Sequence, residues 1–384
     1  MPLVPSHVEL PPDQQALIEV VGDFARGELF ALDRKWDVDE SSVAEALPRL
    51  GEIGLLNLLI PEDLGGLGIP YSLYIAILHE LAFWSPSTCV ALAVHSMVGT
   101  ILEKYLRDPF RTQWLSSWGR PESFSAFALT EAGAGSDAAA VQVIAKKVKG
   151  GYRVSGEKMW TSNGMAARWF LTLVRLEGSR EREGLCALLI DGDSPGLERT
   201  KIHGKMGIRG SETAVISFHD VFVPVDHLIG EECDGLDVFL SSLNKGRIGI
   251  AAQATGIADA CLSEMIAYAR TREQFGQPIG RLQAVGQMVA DSYVELEAAK
   301  ALVWQAARKV EGGSSRRRAS SMAKVFATEA ANRIAYRAVQ VHGGTGYVRE
   351  CRVEQLYRDA RVTTIYEGTS EIQRLVIARE LGAG

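Results

Sequence analysis

Glu367 is a candidate for acid–base chemistry in this sequence. It stands between Tyr366 and a Gly368-Thr369-Ser370 turn that precedes the final helix, where Thr369 or Ser370 can serve as the N-cap. A carboxylate among apolar and aromatic groups is poorly hydrated, so its pKa rises and it can accept a proton near neutral pH. The plainer alternative is a surface acid in a loop.

Four other segments carry groups suited to a ligand. Residues 127–137 run from an apolar strand into Thr130-Glu131-Ala132-Gly133-Ala134-Gly135-Ser136-Asp137. Gly133 and Gly135 let backbone N–H groups approach a flat or anionic ligand. With Ala138 they also fit the G-x-G-x-x-A dinucleotide pattern, but that pattern needs a following helix, and the next apolar run, 152–154, reads as a strand. Residues 156–164 place Trp160, Thr161 and Ser162 before an Asn163-Gly164 turn; the indole could pack on an aromatic cofactor or cap a core. Arg270 and Arg272 beside Phe275 suit a diphosphate, or form a solvated helix end. Residues 340–347 form a second Gly-rich turn, Gln340-Val341-His342-Gly343-Gly344-Thr345-Gly346-Tyr347. That turn suits a phosphate or ribose, or a helix C-cap, and His342 reads as a structural histidine.

These segments need three kinds of surroundings. From Pro12 to Trp118 the apolar residues recur at helical spacing, as at Ala16, Val20, Val21 and Phe24 and again at Leu47, Leu50, Ile53 and Gly54, with a loop near residues 65–70. From Ser123 to about Gly230 short apolar or alternating runs (124–129, 152–154, 170–176, 185–190 and 215–223) alternate with Gly-rich turns, the pattern of a β domain. From Gly235 onward helical periodicity returns, with breaks at 275–279, 312–317 and 343–347. The run Arg316–Arg318 is expected to be a solvated loop between helices.

Composition narrows the function classes. The 384 residues suit two to three domains at roughly 150 residues each. With 41 Lys+Arg against 47 Asp+Glu, the net charge is −6, unlike a nucleic-acid binder. Apolar runs fall short of a membrane span, and residues 1–15 carry neither a basic nor an apolar leader segment, so a cytoplasmic, bacterial-like protein is expected. The 5 cysteines have no disulfide-framework or zinc spacing, which predicts reduced, mostly buried thiols and no metal.

Taken together, the segments resemble the acyl-CoA dehydrogenase family over about residues 12–384. Residues 129–137 match the family's first signature, with Ala132 where proline is common, and residues 366–373 match its catalytic signature. The resemblance implies an α+β fold: an N-terminal helical domain over 1–120, a middle β-sheet or barrel domain over 121–230 and a C-terminal four-helix bundle over 231–384. It implies a homotetramer, a dimer of dimers, with FAD between the β domain and the bundle. By motif, Phe127, Leu129 and Thr130 line the isoalloxazine. Trp160 and Ser162 flank its other side, with Ser162 near N5. Arg272 and Phe275 reach the flavin nucleotide of the partner subunit, and Gln340, Gly343 and Gly344 do so near the adenosine end. Thr369 and Glu371 contact the nucleotide in the same subunit. Gly135, Ser136, Thr161 and Gln283 complete the implied cofactor contacts.

The acyl-CoA is implied to thread between the flavin and Glu367, touching Ser136, Asn244, Arg247 and Gly368. Asn244 stands where the family usually has Asp. Glu367 then removes the α-proton, the β-hydride passes to flavin N5, and a trans-2-enoyl-CoA forms. The thioester oxygen is held by a flavin ribityl hydroxyl and the Glu367 N–H. Electrons leave to an electron-transfer flavoprotein, in a step of fatty-acid β-oxidation. The run 369–378 looks most like the short-chain butyryl type, and His95 is expected either to tune the acyl pocket or to be structural. An acyl-CoA oxidase and a non-catalytic acyl-CoA-binding relative are the alternatives.

Overall fold

A computed structural model describes residues 3–5, 8–179, 181–312 and 317–383. The N-terminal part is helical: α1 (Pro12–Phe24), a π-helical turn (Ala25–Leu29), α2 (Phe30–Asp39), α3 (Leu47–Glu52), α4 (Tyr71–Trp84), α5 (Pro86–Tyr105) and α6 (Phe110–Leu115). Helix α4 is apolar on nearly every side, because it is buried between its neighbours and the C-terminal helices. Helix α3 stops at Glu52, and Gly54 turns the chain with φ +77°. The helical face drawn through Ile53 and Gly54 therefore ends two residues early.

The middle of the chain forms one sheet. Its strands are β1 (Ser125–Ala128), β2 (Ile144–Val148), β3 (Gly151–Ser162), β4 (Trp169–Leu176), β5 (Leu185–Asp191), β6 (Leu197–Lys201), β7 (Thr213–Pro224) and β8 (Leu228–Ile229). They lie in the order β6-β7-β3-β2-β4-β5-β8, with β1 parallel to β4. Strands β4 and β5 are covered on both faces, so they read as continuous apolar runs. Leu171, Leu173, Leu185 and Leu189 pack towards Val98, Leu102 and Phe239 of the helices; Phe170, Val174, Cys186 and Ile190 pack towards Ile216 and Phe218. Strands β2 and β6 escaped the sequence reading, because Lys146, Lys147, Glu198, Arg199 and Lys201 break up their apolar pattern. Strand β3 extends from Tyr152 through Trp160 and Ser162, with register shifts against β7 between Val154 and Gly156 and between Lys158 and Thr161.

The C-terminal part is α7 (Gly235–Thr271), a β9–β10 hairpin (Glu273–Gln274 with Gln277–Pro278), α8 (Gln283–Glu311), α9 (Arg317–His342), α10 (Arg352–Val362) and α11 (Ser370–Glu380). Helix α7 is the axis of the molecule, packing on α9, α4, α8 and α5 and touching β5. The basic run is not a loop as expected: Arg317 and Arg318 open α9, where both are solvent-exposed, and Arg316 lies outside the described residues. The α+β architecture of helices, sheet and helices is as the sequence implies. Of the cysteines, Cys89, Cys186 and Cys261 are buried, Cys351 is half-buried and Cys233 is exposed.

Candidate functional site

Glu367 lies in the turn between α10 and α11, with backbone φ +55°, followed by Gly368 at φ +89°. The left-handed region suits glycine and is costly for glutamate, so surrounding contacts must hold the turn. Thr369 supplies one: its Oγ1 caps α11 by accepting the N–H of Ile372 at 3.4 Å. Gln373 supplies another, its Nε2 donating to the carbonyls of Glu367 at 3.3 Å and Gly368 at 2.9 Å. Lys324 of α9 also donates to the Gly368 carbonyl, at 2.6 Å.

The Glu367 side chain points at α7. A Cβ placed on Gly246 would lie 2.7 Å from Glu367 Oε2 and 3.2 Å from Met97 Sδ, so the absence of a side chain there makes room for the carboxylate. Oε2 is buried and accepts no hydrogen bond among the described residues. Burial raises the Glu367 pKa to about 7, against the opposing pull of Arg247 and Lys324. Arg247 is itself buried, its Nη1 donating to Asn244 Oδ1 at 3.2 Å while its Nε has no partner among the described residues. No acceptor within the described chain takes the N–H of Glu367.

A second wall comes from the sheet. The N–H of Met159 donates to Thr130 O at 2.7 Å, which joins the loop after β1 to β3. Buried Lys158 donates to Leu129 O at 2.9 Å and to Glu131 Oε1 at 2.7 Å. Glu131 in turn accepts the N–H groups of Gln142 and Val143 at 2.6 and 3.0 Å. Phe127, on β1, meets Phe239 of α7 with ring centroids 4.4 Å apart. The register shift in β3 leaves Trp160 at φ +58° and 55% exposed, an unusual state for an indole. The next residue, Thr161, is buried with an unpartnered Oγ1, and Ser162 is half-buried. Gly133 and Gly135 border open space, and Ser136 is exposed beside them.

The chain therefore brings Phe127, Leu129, Thr130, Gly135, Ser136, Trp160, Thr161 and Ser162 to one wall, and Glu367, Gly368, Asn244 and Arg247 to one cluster against α7. Thr369 and Glu371 open α11 beside that cluster. The remaining predicted residues lie elsewhere. Arg272, Phe275 and Gln283 are exposed around the C-terminal end of α7, with Phe275 88% exposed at φ +54°. Gln340, Gly343 and Gly344 sit beside them, tied in by Tyr268, which stacks on His342 and reaches Thr345 Oγ1 at 3.5 Å. Along α7 that end is about 37 Å from Arg247, so these residues do not meet the Glu367 cluster within one chain. His342 is structural, bonded to Ala338 O. His95 is structural too: it is buried, bonded to Ser125 Oγ and Trp118 O, and stacked on the Trp118 ring.

Sequence reasoning missed Lys324, Gln373, Gly246 and the Lys158–Glu131 pair. Lys324 carried no local signal: Ser320, Ala327 and Thr328 share its helix face, and small residues occur on exposed and buried helix faces alike.

Family models described as the N-terminal, middle and C-terminal domains of acyl-CoA dehydrogenase match residues 11–120, 126–221 and 233–382. The chain is 39% identical to the mitochondrial short-chain specific acyl-CoA dehydrogenase of Rattus norvegicus, over 97% of this chain and 91% of that protein. The butyryl-CoA dehydrogenase structure from Megasphaera elsdenii superposes with a TM-score of 0.94 at 32% identity, covering 97% of this chain and 99% of that one. A chain from work on the electron transferring flavoprotein of Acidaminococcus fermentans and flavin-based electron bifurcation gives a TM-score of 0.94 at 33% identity, covering 97% and 98%.

Proposed function

The chain belongs to the acyl-CoA dehydrogenase family, and we propose that it oxidises a short-chain acyl-CoA across the Cα–Cβ bond with Glu367 as the α-proton base. The observation that carries this reading is a buried, unbonded carboxylate oxygen on a left-handed turn, with its pKa raised to about 7 by burial. The names of the rat and Megasphaera relatives support a short acyl chain. The breaks between the matched regions support domains over 1–120, 121–230 and 231–384.

The wall formed by β1, its following loop and β3 fits FAD. A half-exposed indole, a buried hydroxyl without a partner and two glycines facing open space suit a planar ring with polar edges. Phe127, Leu129, Thr130, Gly135, Ser136, Trp160, Thr161 and Ser162 would hold the ring system, and Thr369 and Glu371 the same subunit's nucleotide. FAD supplies a hydride acceptor when bound.

This chain's own residues prepare the substrate. Arg247, Asn244, Ser136 and Gly368 bind and orient the CoA thioester. The unpaired N–H of Glu367 points to a donor for the thioester oxygen, where negative charge develops as the α-proton leaves. Glu367 takes that proton, and the apolar surroundings of Met97, Tyr71 and Tyr366 keep water from competing for it.

Arg272, Phe275, Gln283, Gln340, Gly343 and Gly344 would serve the nucleotide of a second copy. The 37-residue α7 separates them from the catalytic cluster, and Phe275 and Tyr347 are 88% and 83% exposed in one chain. This supports an assembly in which copies share sites, and the homotetramer is the form that the family resemblance implies. Electrons would then pass to an electron-transfer flavoprotein, a reading that the Acidaminococcus chain supports.

The test is anaerobic mixing with a panel of short acyl-CoAs, reading flavin bleaching and enoyl-CoA by mass spectrometry. The base must be ionised, so kcat/KM should rise through about pH 7 and level off above it. A pH-independent rate would remove Glu367 from the proton transfer. Equal turnover in air and with a one-electron acceptor, with stoichiometric peroxide, would favour the oxidase reading.

Gly246→Ala probes the same contact from α7. Alanine adds helix propensity of about 1 kcal/mol, so thermal stability should hold or rise. Its Cβ must displace the carboxylate, and we expect flavin reduction to slow by at least about tenfold. Stopped-flow reduction at wild-type speed would show that the turn shifts freely.

A further inference from the structure

Lys324 is a buried cation that the reaction described above leaves without a task. It is completely buried on α9, among Ser320, Ala323, Ala327 and Thr328. An ammonium is costly to take out of water, and methionine would fill the space without that cost. Its hydrogen-bond acceptor is the carbonyl of Gly368, at 2.6 Å, in the peptide that follows the catalytic turn. Gln373 holds the same carbonyl from α11, so the left-handed Glu367–Gly368 step is pinned from two helices.

The charges around the carboxylate are few. Glu367 is faced by Arg247 from α7 and Lys324 from α9, with the un-ionised phenols of Tyr71 on α4 and Tyr366 on its own loop nearby. Lys324 faces Glu367, Arg247 and Glu371 of α11, and Arg247 faces Glu367 and Arg317 of α9. Arg247 is committed to Asn244 through Nη1. Lys324 is tied to the turn itself.

We propose that Lys324 is a positioning residue: its ammonium fixes the Gly368 carbonyl, which keeps Glu367 over Gly246, and its charge keeps the carboxylate ionised in a site dry enough to protonate it. This rests on the reading of Glu367 as the base. Burial lowers the Lys324 pKa, against the attraction of Glu367, and the same attraction holds the Glu367 pKa below where burial alone would put it. Without that charge, Arg247 alone would oppose the desolvation of Glu367, and the proton would be held to higher pH.

The test is an infrared pH titration of the holoenzyme. The carboxylic acid band missing from Glu367→Gln is assigned to Glu367, and its midpoint is followed in the variants. Lys324→Met should move the midpoint up by at least about one pH unit. The acid limb of flavin reduction should move with it. Lys324→Arg, which keeps charge and donors, should restore both. If Lys324→Met does not fold, Lys324→Gln carries the same expectation. A folded neutral variant with an unmoved midpoint overturns the proposal. Failure of both neutral variants to fold does so too, since Lys324 is then structural only. If Glu367→Gln keeps both the band and rapid flavin reduction, the assignment of the base fails instead, and the two failures remain distinct.

Discussion

Glu367→Gln is expected to keep its fold, retain FAD and bind acyl-CoA, while flavin reduction falls by about 10²- to 10⁴-fold. The amide is nearly isosteric, so the turn pinned by Lys324 and Gln373 should persist. It cannot accept the α-proton. The new amide also replaces a carboxylate oxygen that accepts no hydrogen bond among the described residues, so binding contacts change little. The signature is therefore a collapse in the single-turnover rate with thioester affinity nearly unchanged. Stopped-flow reduction within tenfold of wild type would falsify the assignment. A large loss of affinity with an intact rate would recast Glu367 as a binding residue.

The largest effect on stability is expected at Lys158→Met. Lys158 is completely buried and Glu131 is 9% exposed. Removing the ammonium leaves the Glu131 carboxylate in the protein interior with only the N–H groups of Gln142 and Val143. Breaking a buried pair from one side costs about 3–5 kcal/mol. The calorimetric unfolding transition should fall accordingly, and FAD occupancy with it, because the loop from Leu129 to Ser136 loses its side-chain ties to β3 and keeps only the Met159 N–H to Thr130 O bond among those described. Glu131→Gln in the same chain should recover part of the loss by removing the stranded charge. A variant with wild-type stability would mean that the two backbone donors suffice for Glu131.

What was legible in the sequence follows from how local each arrangement is. The Glu367 turn is written in consecutive residues, Tyr366 to Ser370, so its chemistry and a hydroxyl cap by Thr369 or Ser370 could be read directly, and the structure selects Thr369. The order of helices, sheet and helices was legible because the apolar periodicity changes twice along the chain. Strands β2 and β6 were hidden because lysines and other charged residues occupy them. Lys324 meets Gly368 across 44 residues, and Lys158 meets Glu131 across 27, so no local spacing announces either pair. Trp160 was visible as a large aromatic, but its exposure comes from a register shift that only the pairing with β7 creates. His95 looked like a possible pocket residue; its partners Trp118 and Ser125 come from the helix–sheet junction.

The single helix α7 also restricts how this chain can change. It carries Asn244, Gly246 and Arg247 near one end and leads directly into Arg272 at the other, without a loop between them. In an α-helix each added residue turns everything beyond it by about 100° and advances it by about 1.5 Å. One insertion between Arg247 and Arg272 would swing the far end out of phase with the near one. Seven insertions would nearly restore the phase, but would lengthen the helix by about 10 Å. The spacing between the two ends therefore behaves as a fixed gauge length.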